Sequence, residues 1–249
     1  MNIKLLSDLH LEGFANPKIY ENPEKADVLI LAGDINVTAE RVWTDLKRFA
    51  ENFDRVVYVP GNHEWYHNTI EEFHAKMTLY VQGQDRISYL CNSSVKLDDI
   101  TFIGTPLWTN FRNSPQLAML AKGMISDFRW YSPQQCMEFG YRAQQWLKQE
   151  YENTPGKKVI ITHWLPATEC ISERFLIPGN SDINCYFAND MGGWIKELTD
   201  VPFWFFGHTH DSIDIQLGDC RVVANPAGYR HRAGYYENRN FNEEAIYEV

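Results

Sequence analysis

At 249 residues and 29.1 kDa the chain has room for one large domain or two small ones with a sizeable core, which excludes a peptide module. Its 44% hydrophobic, 22% charged and 14% aromatic residues are those of a folded globular chain and exclude disorder. A formal charge of −10, from 23 basic against 33 acidic residues, argues against extensive nucleic-acid or anionic-membrane binding. The first strand is predicted at Ile3 to Leu6, where Asp8 cuts the apolar run before it could form a signal-peptide core. A second, Val28 to Leu31, precedes Glu40 to Phe53, in which Val42, Trp43, Leu46, Phe49, Ala50 and Phe53 share one helical stripe. Val56 to Val59 predicts a third strand, and Thr69 with Glu72 forms a capping box that opens a second helix. After a strand at Thr101 to Ile103, Ser132-Pro133 with Gln135 opens a third helix, which Pro155-Gly156 ends. Strands at Val159 to Thr162, Phe203 to Phe206, Val222 to Ala224 and Ala245 to Val249 follow, the later ones joined by turns such as Leu217-Gly218-Asp219.

Most of these runs are continuous rather than alternating, as in strands buried on both faces of an α/β domain with mixed sheets. Residues 1–249 contain no repeat or linker and are expected to form a single domain. The stretches Pro106 to Ser132 and Pro166 to Met191 are irregular, and they are expected to be long surface loops overhanging a site. The longest apolar runs fall far short of the roughly 20 residues of a bilayer-spanning helix, so no membrane anchor is expected. Cys91, Cys136, Cys170, Cys185 and Cys220 form no C-x-x-C pair, as in buried thiols of a reducing compartment, and a cytoplasmic protein is expected.

Polar residues able to bind metal follow the strand runs directly: Asp8-Leu9-His10, Gly33-Asp34, Gly61-Asn62-His63-Glu64, His163 and Gly207-His208-Thr209-His210. In α/β folds that position is the carboxyl edge of a sheet, where ligands bind. One such motif is weak, since chance supplies about 0.5 Asp-x-His matches in a chain of this composition; five in succession, each after a strand, are not supplied by chance. Imidazoles with carboxylate and amide oxygens and no thiolate favour two divalent transition ions, Mn²⁺ first, with Fe, Zn²⁺, Co²⁺ or Ni²⁺ as others. Asp8, His10, Asp34, Asn62, His163, His208 and His210 are seven donors, too many for one ion and enough for two if Asp34 bridges them. Such a pair activates a bridging hydroxide for in-line attack at phosphorus. His63 could equally be a ligand by spacing alone.

This order of motifs resembles the calcineurin-like metallophosphoesterase superfamily over residues 8 to 210. The resemblance implies a four-layer sandwich of two packed mixed β-sheets flanked by helices. It assigns Asp8, His10 and His210 to one metal, Asn62, His163 and His208 to the other, and Asp34 to both. It makes His63 a non-ligand histidine that contacts phosphate or protonates the leaving oxygen. The protein Ser/Thr phosphatases carry a V-D-R-G segment after G-D, whereas Ile35-Asn36-Val37 stands here, which speaks against that subfamily despite Glu64. The chain is similar in length, and in Asn225-Pro226-Ala227-Gly228-Tyr229, to small bacterial and phage-type members.

The implied activity is hydrolysis of small phosphoesters, phosphodiesters ahead of monoesters, with a nuclease of single-stranded ends as an alternative. A non-catalytic scaffold would show gaps in the donor set, and this sequence has none. Arg112 and Arg129 are candidates to grip a phosphate oxygen; the plain alternative is a surface arginine paired with Asp127 or stacked on tryptophan. His231, between Arg230 and Arg232, reads as part of a solvated basic turn. His67, His74, Trp65 and Tyr66 read as structural or packing residues.

Overall fold

Among the residues described by the computed structural model (1–14, 18, 20–177, 182–231 and 233–249), eleven strands form two sheets. The first contains β1 (Asn2–Leu6), β2 (Val28–Ala32), β3 (Arg55–Val59), β4 (Ile87–Tyr89) and β11 (Ile246–Glu248), in the order β11-β1-β2-β3-β4. The second contains β5 (Ser93–Leu97), β6 (Ile100–Gly104), β7 (Lys158–Ile161), β8 (Phe203–Phe206), β9 (Ile213–Leu217) and β10 (Cys220–Ala224), in the order β5-β6-β7-β8-β10-β9. Interior pairs are parallel; β11, β5 and β9 pair antiparallel at the edges, so both sheets are mixed.

Parallel strands covered on both faces need apolar side chains at successive positions, and β2 and β8 are buried at every residue. Ile3, Leu5, Ile30 and Val57 of the first sheet pack against Phe102, Val159, Phe205 and Val223 of the second. On the outer face of the first sheet, Leu29, Leu31 and Tyr58 meet helices α1 (Ala39–Asn52) and α2 (Ile70–Val81) through Val42, Leu46 and Phe73. Trp204 and Val222, on the outer face of the second sheet, belong to a core with Ala143 and Leu147 of α4 (Pro133–Asn153) and Ile195 of α6 (Gly192–Ile195). The result is helix, sheet, sheet, helix, the four layers expected. Both capping boxes read from the sequence are present, Thr69 with Glu72 and Ser132 with Gln135.

Three strands escaped the sequence reading. β5 and β9 are half-exposed strands at sheet edges with alternating burial, and β4 has only three residues, so none presents a continuous apolar run. The stretch Pro106 to Ser132 is not irregular throughout: it contains α3 (Pro115–Lys122), capped by the Ser114 side chain with proline at the first turn. The stretch Pro166 to Met191 contains the short α5 (Asn184–Phe187), and its residues 178–181 lie outside the described residues. The site motifs follow the carboxyl ends of β1, β2, β3, β7 and β8.

Candidate metal centre

At the ends of β1, β2 and β8 the chain turns sharply so that polar residues close in sequence face one space. Asp8, His10, Asp34, His208 and His210 adopt positive φ values of 53°, 46°, 54°, 68° and 50°. This left-handed conformation costs an L-residue on the order of 1–3 kcal/mol, and the surrounding structure must over-determine it. Backbone bonds supply part of that constraint: Asp8 N donates to Gly33 O at 3.0 Å and His10 N to Asp34 O at 3.0 Å. Side-chain bonds supply the rest. His208 N donates to both Asp8 oxygens at 3.0 and 3.1 Å, and His63 N donates to Asp34 Oδ1 at 2.8 Å. The buried Glu64 carboxylate accepts from Gly61 N (2.8 Å), Asp34 N (3.2 Å) and Ile35 N (2.9 Å), locking the β2 and β3 ends together. A Cβ at Gly33, itself at φ +87°, would lie 2.3 Å from His163 Nδ1, and one at Gly61 would lie 2.2 Å from Asp34 Oδ1. Only glycine leaves these donors their room.

The structure brings all seven predicted donors together in two groups, which meet where Asp8, Asp34 and His163 lie within reach of one another. His10 Nε2 lies 3.1 Å from His210 Nε2, with Asp8 Oδ1 3.5 Å from the latter. In the second group Asn62 Oδ1 lies 3.0 Å from both His163 Nε2 and His208 Nδ1, and Asp34 Oδ1 is 3.5 Å from His163 Nε2. Three imidazoles are held from behind: His10 Nδ1 by Glu12 (3.3 Å), His163 Nδ1 by the Ala32 carbonyl (2.9 Å) and His210 Nδ1 by Glu237 (2.8 Å). An acceptor on Nδ1 fixes the tautomer and turns the Nε2 lone pair toward the shared space.

These residues fit divalent cations. Burial drives His10 and His163 down to about 4 and His208 well below its ordinary value, leaving the neutral imidazole that coordinates metal. His210 is the exception: burial opposes its charge, but bonds to Asp8 and Glu237 outweigh this and raise it to about 9. Burial, with Glu64 and Asp8 nearby, pushes the Asp34 carboxyl well above its usual range, a repulsion that bound cations would relieve. The buried His208 Nε2 has no partner among the described residues.

His63 lies beside the donors, its ring 4.4 Å from that of His10. Its Nδ1 donates to Glu12 Oε1 at 2.9 Å, its Nε2 meets the Tyr229 hydroxyl at 3.1 Å, and Asp34 Oδ2 is 3.8 Å away. Both ring nitrogens thus have partners that are not among the seven donors, Glu12 and Tyr229, although His10, Glu12 and His63 also sit close enough to form a further set of ligand atoms.

Several residues that the sequence did not single out support the donors. Asp127 is buried and accepts from the hydroxyls of Tyr66 (2.5 Å), Tyr131 (3.1 Å) and Tyr186, and from Asn62 Nδ2 (3.1 Å). Anchoring the Asn62 amide by its nitrogen leaves Oδ1 facing the imidazoles. Tyr66 is therefore more than the packing residue expected, since its ring also lies 4.4 Å from that of His63. Asp127 turns inward to tyrosines rather than to Arg129. Arg112 and Arg129 are both exposed and outside the lining of the cavity that opens onto the donors; the arginine in that lining is Arg174, paired with Asp211 at 2.7 Å. His67 packs on Trp130 and His74 meets the Tyr89 hydroxyl at 3.2 Å, as structural residues would. His231 is exposed beside Tyr235, and its neighbour Arg232 lies outside the described residues.

Fold and site together define a metal-dependent hydrolase of phosphoester bonds. The model of the calcineurin-like phosphoesterase family matches residues 1–212, and the chain belongs to this family. It is 25% identical over 286 residues to the uncharacterized protein L509 of Acanthamoeba polyphaga mimivirus, covering 99% of this chain and 96% of the relative. Among solved structures it resembles the phosphopantetheinyl hydrolase of Mycobacterium tuberculosis, with a TM-score of 0.71, 18% identity and coverage of 92% and 89% of the two chains. A second likeness is to TT1561 of Thermus thermophilus, with a TM-score of 0.59, 14% identity and coverage of 90% and 88%. At these identities the likenesses show the fold. Among the described residues no helix is long and apolar enough to cross a membrane.

Proposed function

We propose that the chain hydrolyses a small phosphodiester, with Asp8, His10 and His210 holding one divalent cation, Asn62, His163 and His208 a second, and Asp34 shared. The observation that carries this reading is the convergence of the seven donors, three of whose imidazoles are turned inward by Glu12, the Ala32 carbonyl and Glu237. Divalent cations, Mn²⁺ first, would supply a water of lowered pKa and neutralise charge on phosphorus oxygens.

The chain's own residues do the remaining work. Asp127 fixes the Asn62 amide, and the buried Glu64 keeps the β2 and β3 ends in register. His63, held through Nδ1 by Glu12, presents Nε2 as the proton donor to the leaving oxygen, with the Tyr229 hydroxyl at that nitrogen. Charge favours a diester over a monoester: Arg174 in the lining is already paired with Asp211, while Asp127 and Glu237 add negative charge nearby. A diester monoanion needs less compensation than a monoester dianion. The five thiols, all unpaired, fit a reducing cytoplasmic compartment.

The test is turnover by Mn²⁺-reconstituted protein of bis-p-nitrophenyl phosphate, p-nitrophenyl phosphate, cyclic nucleotides, a phosphopantetheinyl ester and single-stranded oligonucleotides. Faster hydrolysis of diesters supports the proposal. A preference for p-nitrophenyl phosphate or for oligonucleotide ends replaces the substrate class, and inactivity on all of them with a full metal complement overturns the reading.

A further inference from the structure

We propose that the organic arm of the substrate is an apolar, aliphatic group, seated in the part of the cavity that adjoins the His208 side of the metal centre. This deepens the phosphoesterase reading and rests on it. The cavity is about 330 Å³, a size that holds a phosphoryl group and a short chain besides. One end is formed by Asp34, Asn62, His63, His208 and His210; beyond it Met124, Ile125, Leu165, Ile171, Phe175 and Phe187 form an apolar wall among polar residues. The Phe187 ring lies 5.6 Å from that of His208, so the apolar wall begins at the donors.

The carboxylates and the amide of this lining are committed elsewhere, and the polar groups without such a partner among the described residues are the hydroxyls of Ser126, Ser172 and Thr209 and the outer nitrogens of Arg174. Asp127 serves three tyrosines and Asn62, Glu237 serves His210, Arg174 serves Asp211, and Asn184 donates to the Phe175 carbonyl at 3.1 Å. A nucleobase edge or a second phosphate needs several converging unengaged donors, and the lining offers only these few beside its apolar wall, which is why adenosine monophosphate is the comparison ligand. Apolar side chains of the lining are also left in water, with Met124 62% and Phe175 38% exposed.

The experiment is calorimetric titration of the metal-loaded protein with non-hydrolysable alkyl(methyl)phosphinates, whose two carbon–phosphorus bonds leave no ester to cleave, from methyl to hexyl, and with adenosine monophosphate for comparison. Affinity should rise about twofold to fourfold per methylene, hence about 30-fold or more across the series, the upper rate being that of full burial of each methylene. The heat-capacity change should grow more negative with chain length. The double variant Met124→Gln/Phe175→Gln, at two exposed positions, should flatten the gradient, while Leu79→Gln, at an exposed position on α2, should keep it. A flat alkyl series, or adenosine monophosphate binding more tightly than the hexyl phosphinate, overturns the proposal. A steep alkyl gradient in protein that hydrolyses no phosphoester would overturn the hydrolytic reading instead, and a flat series in active enzyme would overturn only this one.

Discussion

Replacing Asp127 by asparagine separates a purely structural network from one that positions a metal donor. The carboxylate accepts four hydrogen bonds: Oδ1 faces the Tyr66 hydroxyl, and Oδ2 faces Tyr131, Tyr186 and Asn62 Nδ2. In Asp127→Asn the new amide nitrogen takes the Oδ1 place, because Oδ1 meets only the Tyr66 hydroxyl, which can turn to accept, whereas Oδ2 meets the Asn62 amide nitrogen, which cannot. All four bonds then survive as neutral ones. A bond to a charged group contributes about 1.5–3 kcal/mol and a neutral one about 0.5–1.5, so the loss is about 1 kcal/mol per bond, or roughly 2–4 kcal/mol in all once the network relaxes. For a chain of this size that lowers the melting temperature by roughly 5–15 °C. The weaker hold on Nδ2 also frees the Asn62 amide to rotate, and metal affinity should fall by about 10–100-fold, the usual cost of losing a residue that orients a ligand. Tyr131→Phe is the control: it removes one hydroxyl but leaves the charge and the Asn62 bond, so it should lower the melting temperature by a few degrees and keep metal affinity. Differential scanning calorimetry of metal-free protein and Mn²⁺ titration of each variant measure both effects. Equal metal affinity in Asp127→Asn and Tyr131→Phe would refute the positioning role, whatever the melting temperatures.

Elemental analysis after Mn²⁺ loading should approach two ions per chain, and a stable value of one in active protein would remove the dinuclear assignment. Gly61→Ala places a Cβ 2.2 Å from Asp34 Oδ1 and 2.7 Å from His163 Nε2, so metal affinity should fall by more than about 10²-fold, and retention of both ions would show that the cradle has slack. His63→Asn should keep the metal content while turnover drops by roughly 10²–10⁴, most for esters with poor leaving groups; loss of metal would make His63 a ligand. In metal-free protein His10 and His163, lowered to about 4, and His208 stay neutral when folded but take up protons near their usual value when unfolded, so their stabilisation is present above about pH 6.5 and is lost as pH falls toward 4. His210, raised to about 9, has the opposite sign and loses its contribution as pH rises from about 6.5 through 9. Melting temperatures of the apo protein should thus fall on the acid side, with a shallower slope in His10→Gln; an unchanged slope in that variant would sink the assignment.

The cluster of candidate donors was legible because metal chemistry restricts residue type and the fold restricts place: each had to be a residue able to bind metal, and each had to follow a buried strand. Their supporters were not, since Glu12, Asp127, Tyr229 and Glu237 are common residue types whose partners are set by tertiary structure. Only Glu12, two residues after His10, is near in sequence to the histidine it holds. The helix α3 carried a readable signal, Ser114-Pro115, of the same kind that located α4, but the surrounding Asn, Pro and Phe residues obscured it. Arg112 and Arg129 show the converse, because an arginine beside aromatics says nothing about which way the loop turns. Tyr229 and Glu237 also lie beyond the 1–212 span of the family match, yet they contact His63 and His210. The same C-terminal region braces the strand that carries the first two donors: β11 pairs with β1, and Asn225 Nδ2 donates to Leu5 O at 2.9 Å. The motifs fix which atoms can hold metal, and the segment after them fixes how two of the histidines are turned.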